Sequence, residues 1–240
     1  MSSTIIVFIP FAFEGNPASA SGPKCIRELI SCNPFFQNTK TVTIEQSYNE
    51  SAKDYLSRVR GLLCDYTKSY NQVIVIGGNH LCMLPLYQEI YNKGGGIITL
   101  DAHRDYYPES SINHATFLKE VSSVKCRHLL LGVRDYKNHS CEHPTAKSTY
   151  KVNSSDLGHF FHNSTIDYLD IDIDVLDPTL FCWCGSPIDN GYTIDETKEF
   201  ITYAKQNGCA LFSVSEYIPN SDNSFHGAKI IIDMIFQIMS

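Results

Sequence analysis

Short apolar runs alternate with longer amphipathic segments along most of the chain. The runs are rich in β-branched residues and are continuous, a pattern typical of strands that helices cover on both faces. The predicted strands are Thr4–Ile9, Gln72–Ile76, Gly96–Leu100, His128–Val133, Ile166–Ile173 and Ala210–Val214. Because helix-length segments separate most of these strands, the pattern favours the α/β class with a mainly parallel sheet.

The segments between the strands carry helix signals. Apolar residues recur at three- and four-residue spacing from Ala52 to Tyr66, which predicts a helix. A second helix is expected after Thr193, where Glu196 completes a capping box, and a third from about Gly227. We find no internal repeat or linker, and a length of 240 residues suits a single domain over residues 1–240.

Composition narrows the class of protein. Hydrophobic residues make up 43% of the chain and charged residues 19%, so a core is expected and disorder is not. The formal net charge of -7 argues against a nucleic-acid partner. Nine cysteines without the paired spacing of a zinc ribbon favour free thiols in a cytoplasmic protein.

The apolar segment near the start could be mistaken for a targeting sequence. Ile5–Phe13 contains Pro10 and lacks a basic flank and a small-residue cleavage site. We interpret it as a buried first strand, and no other run suggests a membrane span.

Polar residues follow the apolar strands at their carboxyl ends. The segments concerned are Gly77-Gly78-Asn79-His80, Asp101 to Asp105, Asp170 to Asp177, and Glu216. Open α/β sheets bind ligands at this edge, so the four segments are expected to converge on one rim.

Two of these segments place several ligand groups together. Residues two apart in an extended segment point to the same side. One segment thus presents two carboxylates and an imidazole and the other presents three carboxylates: Asp101, His103 and Asp105, then Asp170, Asp172 and Asp174. Clustered carboxylates repel one another and are costly to bury unless cations neutralise them. Oxygen-rich ligands with imidazole favour Mn(II) over Fe, Co, Ni or Zn, and bridging carboxylates could hold two cations about 3.5–4 Å apart.

Each motif alone has a simpler explanation. A D-x-H-x-D segment can be a solvated strand end, a D-x-D-x-D segment can be a calcium loop, and His80 can cap a helix. Their occurrence together, each at the end of an apolar strand, favours a metal centre.

In this order the motifs resemble those of the ureohydrolases, the family of arginase, agmatinase and their relatives. The matching segments are G-G-N-H at 77–80, D-A-H-R-D at 101–105, D-I-D-V-L-D-P at 172–178, G-S-P at 185–187 and S-E-Y-I-P at 215–219. The resemblance implies a three-layer α/β/α, arginase-like fold and two Mn(II) ions per chain. It also implies hydrolysis of a guanidino group to urea and an amine by water activated at the metals.

The resemblance further implies roles for individual residues. The metal ligands would be His80, Asp101, His103, Asp105, Asp172 and Asp174, with Asp101 and Asp172 bridging the two ions. Glu216 would bind the guanidinium, Asp105 would pass a proton to the leaving nitrogen, and His114 would relay protons to solvent. Asp170 stands where the family usually has serine and receives no metal-binding role.

The sequence departs from the family's pattern mainly at positions that bind the substrate in arginases. Tyr107 stands where arginases use asparagine to hold the α-carboxylate, and Lys137 stands where they carry an acidic residue for the α-amino group. Asn79 replaces an acidic residue beside His80. A lost polar clamp leaves substrate charges unpaired, so free arginine is not the expected substrate. An arginine side chain within a peptide, giving ornithine, ranks first, ahead of agmatine or a guanidino acid.

Two other classes share some of these features. Metal-dependent deacetylases also use a D-x-H motif, but with one metal, and a binding module could retain the fold without activity. The complete ligand set and Glu216 favour a hydrolase of guanidines over both. The sequence leaves open a homo-oligomer.

Overall fold

The computed structural model describes residues 3–13, 15–135, 143–161, 165–219, 222 and 225–240. The strands among them are β1 (Thr4–Ile9), β2 (Lys40–Thr43), β3 (Gln72–Gly77), β4 (Gly96–Leu100), β5 (Arg127–Leu131), β6 (Ala146–Thr149), β7 (Tyr168–Asp172) and β8 (Leu211–Ser215). They form one eight-stranded sheet in the order β2-β1-β3-β8-β7-β4-β5-β6. Every pairing of these strands is parallel, as the sequence predicts.

Helices cover both faces of the sheet. Their bounds are α1 (Ser21–Ser31), α2 (Ala52–Ser69), α3 (Leu84–Lys93), α4 (Gly158–Phe161), α5 (Ile194–Gln206) and α6 (His226–Met239). One core cluster joins α2 and α3 to one face, and a second joins α1, α4, α5 and α6 to the other. Side chains alternate between the two clusters along each strand, as the pleat requires: Ile6 and Phe8 join one, Ile5 and Val7 the other. The expected three-layer α/β/α architecture is confirmed.

The predicted helices after Thr193 and near Gly227 are present. Thr193 and Glu196 form the expected capping box of α5. The first strand has the predicted bounds Thr4–Ile9. It stops short of Phe13, where the apolar run ends, because Pro10 has no N–H to extend the ladder.

The order of the strands places the polar segments together. The strands β3, β8, β7 and β4 are consecutive in the sheet and form its centre. Their carboxyl ends carry His80, Glu216, Asp172 and Asp101, respectively, so the predicted rim is formed by adjacent strands. No helix of the described residues is long and apolar enough to cross a membrane.

A buried histidine in β5 gives a test of the fold. The ring of His128 is fully buried between the hydroxyls of Tyr91 and Thr99, 2.9 Å from each. Burial lowers its pKa to about 3, whereas the unfolded chain binds the proton near the ordinary value of 6.5. Unfolding therefore takes up a proton between these values, and the imidazole destabilises the fold as the pH falls below about 6.5.

We expect His128→Gln to weaken the acid sensitivity of the metal-free protein. Glutamine keeps a donor and an acceptor but does not titrate. Between pH 6.5 and 4, the slope of the unfolding free energy against pH should differ between the two proteins by up to about 1.4 kcal/mol per pH unit. Urea unfolding at several pH values measures it, and parallel curves for the two proteins would contradict the assignment.

Candidate metal centre

Close backbone packing at the end of β3 brings His80 into the rim. A Cβ on Gly78 would lie 2.1 Å from the carbonyl oxygen of Phe11, so only glycine fits there. The next residue, Asn79, donates its backbone N–H to the same carbonyl at 2.7 Å. The chain then turns inward, and the buried His80 begins a short 3-10 helix, His80–Met83.

Backbone hydrogen bonds tie the ends of β4 and β7 together. The N–H of Ala102 donates to Asp174 Oδ1 at 3.1 Å, and that of His103 donates to Asp101 Oδ1 at 2.6 Å. Asp172 Oδ1 in turn accepts the N–H of Asp174 at 3.1 Å. One oxygen of each carboxylate is thereby fixed by the backbone, so the three carboxylates hold a defined arrangement.

The carboxylates and imidazoles form two overlapping ligand groups. In the first, His80 Nδ1 lies 3.2 Å from both Asp101 Oδ2 and Asp172 Oδ2. In the second, His103 Nδ1 lies 2.8 Å from Asp174 Oδ2 and 3.7 Å from Asp101 Oδ1. Asp101 belongs to both groups, each of which could hold one ion. Two ions that share a carboxylate are the arrangement expected of a binuclear centre.

Two predicted ligands differ from Asp101 in their relation to the two ligand groups. Asp172 joins only the first of these groups, although the resemblance gives it a bridging role. Asp105 belongs to neither group, but its Oδ2 lies 2.8 Å from His80 Nδ1 and its side chain faces the same cavity. All six predicted ligands therefore lie in one cluster.

Buried atoms in the cluster have the character of unused ligands. His80 Nδ1 and Asp101 Oδ2 are buried and make no hydrogen bond, because their close contacts lack the required geometry. Buried polar groups are nearly always satisfied, and a bound cation would satisfy both atoms. The residues present therefore fit a divalent metal.

The pKa values of the side chains in the cluster also favour a bound cation. Burial, reinforced by the charge of Asp101, raises the pKa of Asp105 to about 8. Burial and the neighbouring Asp174 and Asp101 raise the pKa of Asp172 well above its usual value. At His103 burial favours the neutral ring, but Asp174 and Asp101 outweigh it and raise the pKa to about 12. The metal-free cluster thus retains protons that cations would replace.

Two functional candidates have unusual backbone conformations. Asp105 and Glu216 adopt left-handed φ angles of 50° and 68°, although neither is glycine. Such conformations cost about 1–3 kcal/mol and are concentrated at functional sites. Glu216 is further held by its carboxylate, whose Oε1 accepts the backbone N–H of His80 at 2.7 Å. Burial raises the pKa of Glu216 to about 7.

A cavity of about 270 Å³ opens above the ligand groups. The predicted residues Tyr107, His114 and Glu216 line it together with every predicted ligand except Asp101, which lies beneath them, so the structure brings these residues to one place. Asn16, which the sequence did not single out, also contributes to the wall. The hydroxyl of Tyr107 donates to Asp135. Lys137, the other predicted specificity residue, lies outside the described residues.

Asp170 and Arg134 support the site, although the sequence analysis gave neither of them a role. Asp170 Oδ2 lies 2.6 Å from His80 Nε2, on the side of the ring opposite the ligand cluster. Asn79, which stands where the family has an acidic residue, donates its amide to the carbonyl of Phe13 at 2.8 Å. The buried Arg134 donates to backbone carbonyls that include those of Asp174 and Ile188, and so supports the loop after β7. An aspartate in the serine position was the only signal in the sequence for the first of these contacts.

Comparisons with known proteins show the family of the chain and other proteins with its fold. The profile of the Arginase family matches residues 2–240. An agmatinase of Neisseria meningitidis is 24% identical over 266 residues, which cover 97% of this chain and 86% of that protein. The agmatine ureohydrolase of Thermoplasma volcanium has a similar structure, with a TM-score of 0.81 at 16% identity over 99% of this chain and 89% of that one. The arginase of Bacillus subtilis matches with a TM-score of 0.80 at 14% identity over 99% of this chain and 98% of that one.

Proposed function

Since the chain belongs to the arginase family of guanidine-hydrolysing enzymes, we propose that it is a binuclear metal-dependent ureohydrolase whose substrate is a guanidine without a free α-carboxylate. One observation carries the proposal: two ligand groups share Asp101 and face the same cavity as Glu216. Manganese is the proposed metal, because carboxylate and imidazole ligands without thiolate suit it.

Glu216 is the group that would hold the guanidinium. Its carboxylate is nearly buried, faces the cavity, and is held by the backbone N–H of His80. A planar guanidinium pairs with a carboxylate through two parallel hydrogen bonds, which fixes its orientation as well as its position. The guanidinium carbon would then lie above the ligand groups. A cationic substrate also favours the charged form of Glu216 over the neutral form that burial favours.

Asp105 and His114 are the residues proposed to transfer protons during hydrolysis. Cations bound at the two groups would supply water of lowered pKa as the nucleophile. The bond between the guanidinium carbon and the alkyl nitrogen breaks, the oxygen of water remains in urea, and the leaving nitrogen takes up a proton. Asp105, whose carboxyl group faces the cavity, is the proposed donor to that nitrogen. His114, in the cavity wall, is the proposed exchanger of protons with solvent.

The cavity suits a substrate without an α-carboxylate. Acidic residues face it, but no lysine or arginine is among the described residues that line it. A substrate carboxylate would therefore enter without a described cationic side chain to pair with it. Agmatine carries an ammonium group at the far end instead, and relatives that match 97% of this chain are agmatinases. Agmatine therefore moves ahead of the peptidyl arginine favoured by the sequence alone.

Peptidyl arginine remains the second candidate. An arginine within a peptide has neutral amides in place of the carboxylate and ammonium, and the cavity wall includes the small residues Ala115, Gly185 and Ser186. Small side chains in the wall would leave room for a peptide backbone.

We expect kcat/KM for urea release by the Mn(II)-loaded protein to be highest with agmatine. Arginine capped by amides at both ends should follow, and free arginine should be at least about tenfold below agmatine, because an unpaired charge costs more than about 1.4 kcal/mol. A guanidino acid completes the panel and should behave as free arginine does. If capped arginine is the best substrate, the second candidate replaces the first. If free arginine is the best, the assignment of the substrate class is wrong.

A further inference from the structure

A polar row crosses the centre of the sheet beneath the ligand groups. Thr99 of β4, Asp170 of β7 and Ser213 of β8 are direct neighbours in register, and all three are completely buried. The residues on either side of each of these three are apolar, so a charged group in this position is costly unless it is fully hydrogen-bonded.

Asp170 is fully satisfied by its surroundings. Its Oδ2 accepts the hydroxyl of Tyr87 at 2.5 Å and lies 2.6 Å from His80 Nε2, while its Oδ1 accepts the hydroxyl of Ser213. Three donors directed at one carboxylate stabilise its charged form. Two of these donors are hydroxyl groups, and the third is the ring nitrogen Nε2 of His80.

The network reaches further into the core and makes this arrangement rigid. The hydroxyl of Tyr87 also lies 2.5 Å from Thr99 Oγ1, which is 2.9 Å from His128 Nε2. The hydroxyl of Tyr168 lies 2.6 Å from Ser213 Oγ. Both neighbours of Asp170 are therefore themselves anchored, and the carboxylate has little freedom to turn away from His80.

The carboxylate defines the state of the His80 ring. When Nε2 carries the proton and donates it to Asp170, Nδ1 keeps its lone pair, and Nδ1 is the atom that faces Asp101, Asp105 and Asp172. A carboxylate partner also makes the ring a more basic ligand than a neutral hydroxyl would. The backbone N–H of His80 holds Glu216, so fixing this residue also fixes the guanidinium-binding group.

We propose that Asp170 is a positioning residue that raises the affinity of the His80 ligand group for its cation. The inference rests on the proposed metal centre but on no particular substrate. The second ligand group, which contains His103 and Asp174, makes no described contact with Asp170 and should be indifferent to it.

The test is Asp170→Asn, which keeps the shape of the side chain and removes its charge. Calorimetric titration of the metal-free protein with Mn(II) should give two binding steps in the wild type. In the variant one step should weaken by about 10–100-fold and the other should not change. Thermal unfolding of the metal-free proteins checks the fold, and Asp170→Ser serves if the asparagine variant is not folded.

Tyr91→Phe is the matched control. It too removes a buried polar group from the network, but this hydroxyl binds His128 and makes no described hydrogen bond to Asp170 or His80. Both binding steps should remain as in the wild type. Unchanged affinities in both Asp170 variants, or an equal weakening in Tyr91→Phe, would overturn the inference and leave the proposed function standing. A wild-type protein that binds no Mn(II) would instead overturn the proposed function.

Discussion

Asp101→Ala is expected to abolish urea release and to reduce the bound metal to less than one ion per chain. Asp101 is the residue that the two ligand groups share, so its loss removes an oxygen from both. Residues that merely support a ligand change metal affinity by about 10–100-fold, and the loss of the ligand itself should exceed this at each step. Metal analysis after Mn(II) loading and gel filtration measures the effect. Asp172→Ala, which touches one group, should lose at least one ion.

The control for these variants is Asp233→Ala. Asp233 is an exposed carboxylate on α6, and its contact with Lys198 is long, at 4.0 Å. Its removal should leave metal content and kcat/KM unchanged. Retention of two ions by Asp101→Ala would show that the shared carboxylate is not a ligand.

Glu216→Gln should retain its metal and lose most of its activity. The amide keeps the size of the side chain and can still accept the N–H of His80, but it cannot pair with a guanidinium charge. Truncating one partner of a buried charged pair costs about 2–5 kcal/mol, so kcat/KM should fall by roughly 30- to several thousand-fold. Parallel measurements of metal content and of kinetics with agmatine separate the two effects.

An exposed glutamate on α1 provides the comparison for Glu216. Glu28→Gln makes the same chemical change far from the cavity and should have no effect on either measurement. If metal content in Glu216→Gln falls as steeply as activity, Glu216 is a metal ligand and its assigned role is wrong.

The centre of the sheet was predictable and its edges were not. Strands such as β4 are buried on both faces and appear as unbroken apolar runs, so the sequence identifies them almost to the residue. The edge strands β2 and β6 pair on one side only and contain Lys40 and Lys147, respectively, with little apolar character. Edge strands commonly carry such residues, which hides them from a search for apolar runs.

Part of the candidate site could also be predicted from the sequence, and part could not. Ligands within one segment, such as Asp101 and His103, could be predicted because both follow the same strand end. The reason given by the pattern was wrong, since the chain bends after β4 and is not extended there. The contact of Asp170 with His80 could not, since it depends on the register of three strands and on Tyr87 from α3. Long-range register leaves no periodic signal in a single sequence.

The requirement for two metal ions is tested most directly by a titration of activity with metal. Metal-free protein is mixed with increasing Mn(II), and urea release from agmatine is measured at each ratio. Activity should rise to a plateau at two equivalents per chain, because both ligand groups must be filled. A plateau at one equivalent, or no urea at any ratio with agmatine or with capped arginine, would contradict this expectation.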